Sequence, residues 1–199
     1  MRSLQRLVIC CGLVAPAAAQ RQEIGLTLGR ILGREASGPG IRLDLKGGTA
    51  LQANYGIRIL GSETAELFGE AHLLASPSRG VEGNLPSATK DVATLYITPG
   101  VRVKFTPKAR LAPYIAVGAG YALYEHSTMT VDGGPNPAPR HIHRGVFDFG
   151  GGVDVSLLGW LGARFEVRDF YSGKPSLNAL TSGSGLHNVV VGGGLVLRF

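Results

Sequence analysis

The sequence predicts an all-β fold, an eight-stranded antiparallel up-and-down transmembrane β-barrel. Three observations carry this expectation. Apolar and polar residues alternate with period 2 in eight segments. The connections between these segments alternate short and long, as they do when all the tight turns lie on one side of a membrane. The glycines inside the segments gather on the polar faces, where a small closed lumen leaves little room for side chains.

The first 19 residues are read apart from the barrel. "MRSLQRLVICCGLVAPAAAQ" places Arg2 and Arg6 before an apolar run from Leu7 to Val14, followed by Ala17, Ala18 and Ala19. This is the pattern of a secretory signal cut after Ala19, leaving 20–199 as one barrel domain. The run is shorter than the roughly 20 residues a membrane helix needs. Cys10 lies inside it, without the small residues upstream that a lipid-attachment site requires. Cys10 and Cys11 are the only cysteines and depart with the signal, so the remaining chain is held by packing and hydrogen bonding alone. The signal also carries two of the 20 Lys and Arg and none of the 14 acidic residues. Eighteen basic residues against 14 acidic ones leave a net charge of +4. The excess is scattered, which speaks against nucleic acid as a partner. No later stretch is apolar enough for a membrane helix, so a membrane-spanning chain must be a closed barrel.

In chain order, the expected strands are 23–32, 49–60, 63–75, 91–105, 111–125, 145–157, 160–171 and 187–199. Short links fall at Gly61-Ser62, at "TPKAR" and at Leu158-Gly159. The long connections are 33–48, 76–90, 126–144 and 172–186. In the second strand Leu51, Ala53, Tyr55, Ile57 and Ile59 oppose Gln52, Asn54 and Arg58. In the third, Leu67, Ala71 and Leu73 oppose Glu66, Phe68, Glu70 and His72. In the fourth, Leu95, Ile97, Val101 and Val103 oppose Thr94, Tyr96, Thr98, Arg102 and Lys104. The seventh sets Leu161, Ala163, Phe165 and Val167 against Gly162, Arg164, Glu166 and Arg168. The eighth puts Val189, Val191, Leu195, Leu197 and Phe199 on one apolar face.

Alternation alone does not say which face points inward, and a soluble lipocalin-like barrel would keep the apolar face inside. Eleven strand glycines share the polar faces and three the apolar ones. A water-facing surface has no need of glycine, whereas a crowded lumen does. The apolar faces are therefore assigned to lipid. The polar faces then enclose Arg58, Arg102, Lys104, Arg164, Arg168 and Arg198 with Glu66, Glu70, Asp148, Asp154 and Glu166. Confined charges must pair, so a network that largely plugs the lumen is expected. The closing strand must pair with the first, which commits "HNVVVGGGLVLRF" to structure and sets Phe199 at an aromatic girdle.

With these features the chain resembles the small outer-membrane β-barrels of Gram-negative-type bacteria, the OmpA-like and OmpW-like barrel domains. "APYIAVGAGYALY" (112–124) and "ARFEVRDFY" (163–171) look like that family's later strands. The resemblance implies a bacterial outer-membrane location and contact with outer-membrane lipid and lipopolysaccharide. It also implies that Val189, Val191, Leu195, Leu197 and Phe199 form a signal read by the barrel-assembly machinery. The chain stops at Phe199, so the peptidoglycan-binding domain of long OmpA proteins is not carried over. A structural or adhesion/interaction role, with an unnamed extracellular ligand, is the leading expectation. A narrow channel for small solutes is the alternative.

Two loop motifs raise chemistry. Some eight-stranded barrels are lipid A deacylases, with His and Ser two residues apart on the outer face. Here "YEHSTMT" puts Ser127 next to His126, and adjacent strand residues point to opposite faces. In "PRHIHR", His141 and His143 make half a zinc site, and a basic external loop near anionic headgroups is the simpler reading. No catalytic residue, cofactor or metal is expected.

Overall fold

The computed structural model describes residues 21–38, 40–173, 177 and 185–199. The expected signal segment, 1–19, lies outside them. The described residues form ten strands: β1 (Gln22–Ile31), β2 (Arg34–Gly38), β3 (Ile41–Leu45), β4 (Gly48–Gly61), β5 (Ala65–Gly83), β6 (Asp91–Phe105), β7 (Leu111–His126), β8 (His141–Ser156), β9 (Leu161–Gly173) and β10 (Gly185–Arg198).

Eight of these close a ring. β1 pairs with β4, the strands β4 to β10 pair in succession, and β10 returns to β1, always antiparallel. Closure continues to the last residue. Gln22 N donates to Phe199 O at 2.8 Å, and Phe199 N donates to Gln22 O at 3.0 Å. Two positions show why glycine is needed for this closure. A Cβ on Gly194 would overlap the Leu26 carbonyl oxygen, and one on Gly100 the Val117 carbonyl oxygen. At these points neighbouring backbones fill the space a side chain would take.

The apolar faces point outward. Leu26, Leu28, Leu51, Ile97, Val117, Phe149, Phe165, Val167, Val191 and Leu195 are all exposed. Tyr121 and Tyr171 stand near the long-connection end, and Phe105, Trp160 and Phe199 near the short-turn end, all exposed. The soluble barrel with an apolar interior is thereby excluded at bilayer depth, because such a belt is compatible only with lipid.

Three expected connections are corrected. Residues 33–48 were expected as a loop but hold the hairpin β2–β3, whose second strand, β3, pairs with the end of β5 through Leu43↔Gly83, Asp44↔Glu82 and Leu45↔Val81. β5 runs on to Gly83, well past the expected stop at 75, because a register shift between Ser76 and Arg79 absorbs Pro77. β8 starts at His141, so the last four residues of "PRHIHR" are strand. The sheet projects beyond the lipid belt on the long-connection side.

Candidate functional site

The lumen is built from inward side chains of all eight ring strands. In its short-turn half, Glu23 on β1 is the hub. Its Oε2 lies 2.9 Å from Arg102 Nη2 and 3.5 Å from Arg164 Nη2. Its Oε1 pairs with Lys104 and lies 3.5 Å from Arg198 Nε. Asp154 accepts two parallel bonds from Arg164, at 2.7 and 2.9 Å, and lies 2.9 Å from Lys104 Nζ. Arg102 carries the network upward, its Nε 2.8 Å from Glu70 Oε2. Glu70 also pairs with Arg168, which holds Asp148 at 2.7 Å and Glu166 at 3.1 Å. Tyr114 donates its hydroxyl proton to Glu166 Oε2 at 2.6 Å. Five carboxylates thus face five cations, and Arg102, Arg164, Asp148 and Asp154 are fully buried. Each charge has an opposite partner in direct contact, which is what offsets the desolvation of ions in so confined a space.

Aromatic rings and glycines complete the packing. The Arg102 guanidinium lies 4.9 Å from the Phe68 ring centre, and that of Arg164 lies 4.9 Å from Tyr114. Gly56 and Gly162 make room for the cations. A Cβ there would come within 2.8 Å of Arg102 Nη2 and 2.9 Å of Arg198 Nη2. Below this layer a cavity of about 1140 Å³ opens at the short-turn end. There Glu66 takes Arg58 at 3.1 Å and Arg21 at 3.5 Å. Arg58 and Glu66 therefore sit on the vestibule wall, apart from the central network.

The other half of the lumen is different, and the charged network does not extend into it. Above Glu70, Gln52 Nε2 donates to Thr27 at 3.0 Å, and Gln52 Oε1 faces His72 Nε2 at 3.2 Å. Beyond them Tyr96 stacks on Phe170 at 5.0 Å and shares a 2.9 Å hydroxyl bond with Tyr124. A buried apolar cluster then fills the end of the barrel, including Ile31, Leu43, Leu45, Val81, Val92, Ile142, Leu186 and Val190. Leu43 and Leu45 come from the hairpin, so the unexpected β2–β3 element is a lid with an apolar underside. Arg79 is buried within this cap. It donates to Asn188 Oδ1 at 2.7 Å, to Lys46 O at 3.2 Å and to Leu32 O at 3.4 Å, tying the lid to β5 and β10.

Sequence reasoning named every charged residue of the central network but one. It missed Glu23, although Glu23 shares the parity of Gly25 and Gly29, the signal that would have found it. Tyr114, Asn54 and Arg79 were also not singled out. Asn54 accepts from Arg164 at 2.8 Å.

The loop motifs resolve plainly. His126 faces inward at the last position of β7 and is 2 % exposed, so it is not an outer-face catalytic base. Among the described residues neither ring nitrogen has a hydrogen-bond partner. Burial away from polar groups disfavours its imidazolium and lowers its pKa. It lies beyond the lipid belt, level with the outward Arg140–Glu125 pair, whose Nε–Oε1 distance is 2.8 Å. His141 and His143 are exposed on the outer face of β8, and His143 Nδ1 meets the Tyr121 hydroxyl. Among the described residues no group of three or more potential ligands is placed to hold a metal ion. The five C-terminal residues Val189, Val191, Leu195, Leu197 and Phe199 all point outward along β10 and its end.

No protein-family model matches the sequence, and no curated protein matches it either. Solved structures do match the fold. Neisserial surface protein A superimposes with a TM-score of 0.58 at 12 % identity, covering 90 % of this chain and 97 % of that one. The outer membrane protein OprG of Pseudomonas aeruginosa gives 0.57 at 12 %, covering 90 % and 95 %. Ail, the attachment invasion locus protein of Yersinia pestis, gives 0.51 at 12 %, covering 90 % and 98 %. The chain has the fold of the small eight-stranded bacterial outer-membrane β-barrels, with the lipid-facing belt that such a location requires.

Proposed function

We propose that this chain is a sealed, non-enzymatic outer-membrane barrel with a structural or adhesion/interaction role. The membrane segment anchors a rigid external extension, formed by β2–β3 and the projecting ends of β5 to β8. That extension is the surface offered to an external partner, and lipopolysaccharide surrounds the belt. During insertion, Val189 to Phe199 serve as the strand read by the barrel-assembly machinery. One observation carries the reading. The described side chains of the lumen form two stacked layers, a balanced ion network and an apolar cap. The cavity at the short-turn end is a blind vestibule whose floor is the Glu23–Lys104 pair. Planar bilayers holding protein that shifts on heating in a semi-native gel test this directly. No unitary conductance steps are expected at either polarity. Discrete steps whose size changes on Arg102→Ala would establish the narrow-channel reading instead.

A further inference from the structure

On the lipid-facing side of β10, β1 and β4 the belt is not smooth. A groove of about 610 Å³ runs along it, with an almost wholly apolar lining. Its floor is made by residues with little or no side chain, Gly193 and Ala53, and its walls by Leu26, Leu28 and Leu51. The register fixes what lies above. Leu28 stands opposite Gly193 on one side and Leu51 on the other, and the next outward position on β1 is Arg30, between Val191 and Thr49. Two strand residues span roughly 7 Å, so the cation sits directly over the external end of the groove. Arg30 is exposed. Its Nε leans toward Gly47, where an added Cβ would stand 3.3 Å away. No described hydrogen bond or ion pair engages it, in contrast to the inward arginines.

A cation without a partner at the edge of an apolar belt attracts the anionic groups of the adjacent leaflet. A groove inside that belt is open only to acyl chains or to another membrane protein. A second copy docked here on a two-fold axis normal to the membrane would bring two Arg30 side chains together at one depth, which like charge opposes. We propose that this face binds one phosphate-bearing, multiply acylated lipid of the external leaflet, with an acyl chain in the groove and a phosphate on Arg30. This rests on the membrane-barrel reading above.

The test is native mass spectrometry of the folded protein released from detergent micelles. The probes are bis-phosphorylated lipid A and the same lipid without its phosphates. The wild type should retain one lipid A and prefer it over the dephosphorylated form by roughly fivefold to tenfold. Arg30→Gln should abolish that preference. Ala53→Leu, which fills the floor, should weaken both lipids. Heat-modifiability of each variant establishes that it is folded. Equal retention of the two lipids, an unaltered preference in Arg30→Gln, unaltered retention in Ala53→Leu, or a dimer in place of the lipid-bound monomer would each overturn the proposal. A wild type that shows no heat shift would instead remove the barrel reading itself.

Discussion

The Arg164–Asp154 pair gives the sharpest test of the lumen network. The two residues are direct cross-strand partners of β9 and β8, fully buried, and joined by two bonds at 2.7 and 2.9 Å. Arg164→Met leaves five carboxylates facing four cations, and Asp154→Leu leaves the reverse. Removing one member of a buried ion pair costs about 3 to 5 kcal/mol, because the other charge stays desolvated. The double variant restores four against four and replaces the pair with apolar side chains of similar length. Such replacements are often close to neutral, so the double variant should lose no more than about 2 kcal/mol. A coupling energy of at least about 4 kcal/mol is therefore expected from the cycle. Reversible urea unfolding from lipid vesicles measures it, followed by the fluorescence of Trp160. That residue is the only tryptophan and is exposed at the short-turn rim. Single-variant costs that add to within about 0.5 kcal/mol would show that the two residues act independently, and the argument for a charge-balanced plug would fail.

Three further outcomes follow from other layers of the lumen. Gly194→Val puts a side chain where the Leu26 carbonyl already lies; the strands cannot close, and the heat-shifted band should be lost or the stability fall by about 3 kcal/mol or more. Arg79→Met removes the bonds to the Leu32 and Lys46 carbonyls that flank the lid and the one to Asn188 while keeping the stem, so amides of β2 and β3 should exchange faster by hydrogen-exchange mass spectrometry, with those of β9 unchanged. His126 should make the cap pH-sensitive. Burial lowers its folded pKa, so the unfolded cap takes up a proton as pH falls through about 6.5 while the folded cap resists it. Cap stability should be flat above that pH and decline below it, and His126→Phe should flatten the exchange profile between pH 5 and 8.

The parts of this fold legible in the sequence are those set by local parity. "WLGARFEVRDFY" alternates without interruption, and its inward set Arg164, Glu166 and Arg168 is read directly from that period. Partner choice is not local. Arg102 and Glu23 are 79 positions apart, and Arg168 and Glu70 are 98 apart. Only barrel closure brings them together. The external elements were hidden for a different reason. In sequence Gly38, Pro39 and Gly40 stand just before Ile41, and β5 carries Pro77 and Gly80, so breaker residues masked a short alternation at Ile41, Leu43 and Leu45. In these segments tertiary pairing to the edge of β5 overrides weak local preference.

The change in lumen chemistry along the barrel axis has a physical cause that joins these observations. At bilayer depth the outside of the wall is already in an apolar solvent, so moving apolar side chains into the lumen gains no hydrophobic energy. Cohesion and register there must come from polar pairing, and the interior is Glu23, Arg102, Asp154, Arg164 and Arg168. Above the membrane the outer face meets water and carries Glu125, Arg140 and His141. Burial is now worth roughly 25 cal/mol per Å², and the interior becomes Ile31, Leu43, Leu45, Val92 and Ile142. The same eight strands are therefore apolar outside and charged inside where they cross lipid, and charged outside and largely apolar inside where they leave it, the buried Arg79 being held there by Asn188 and two backbone carbonyls. Tyr96, Tyr124 and Phe170 occupy the changeover, with the Tyr96 ring stacked on Phe170 and the two tyrosine hydroxyls bonded to each other. The position of that inversion marks where the lipid ends more directly than any outward residue does, because Tyr121 and Tyr171 are at home on either side of an interface, whereas a buried Arg164 or a buried Leu43 is stable on one side only.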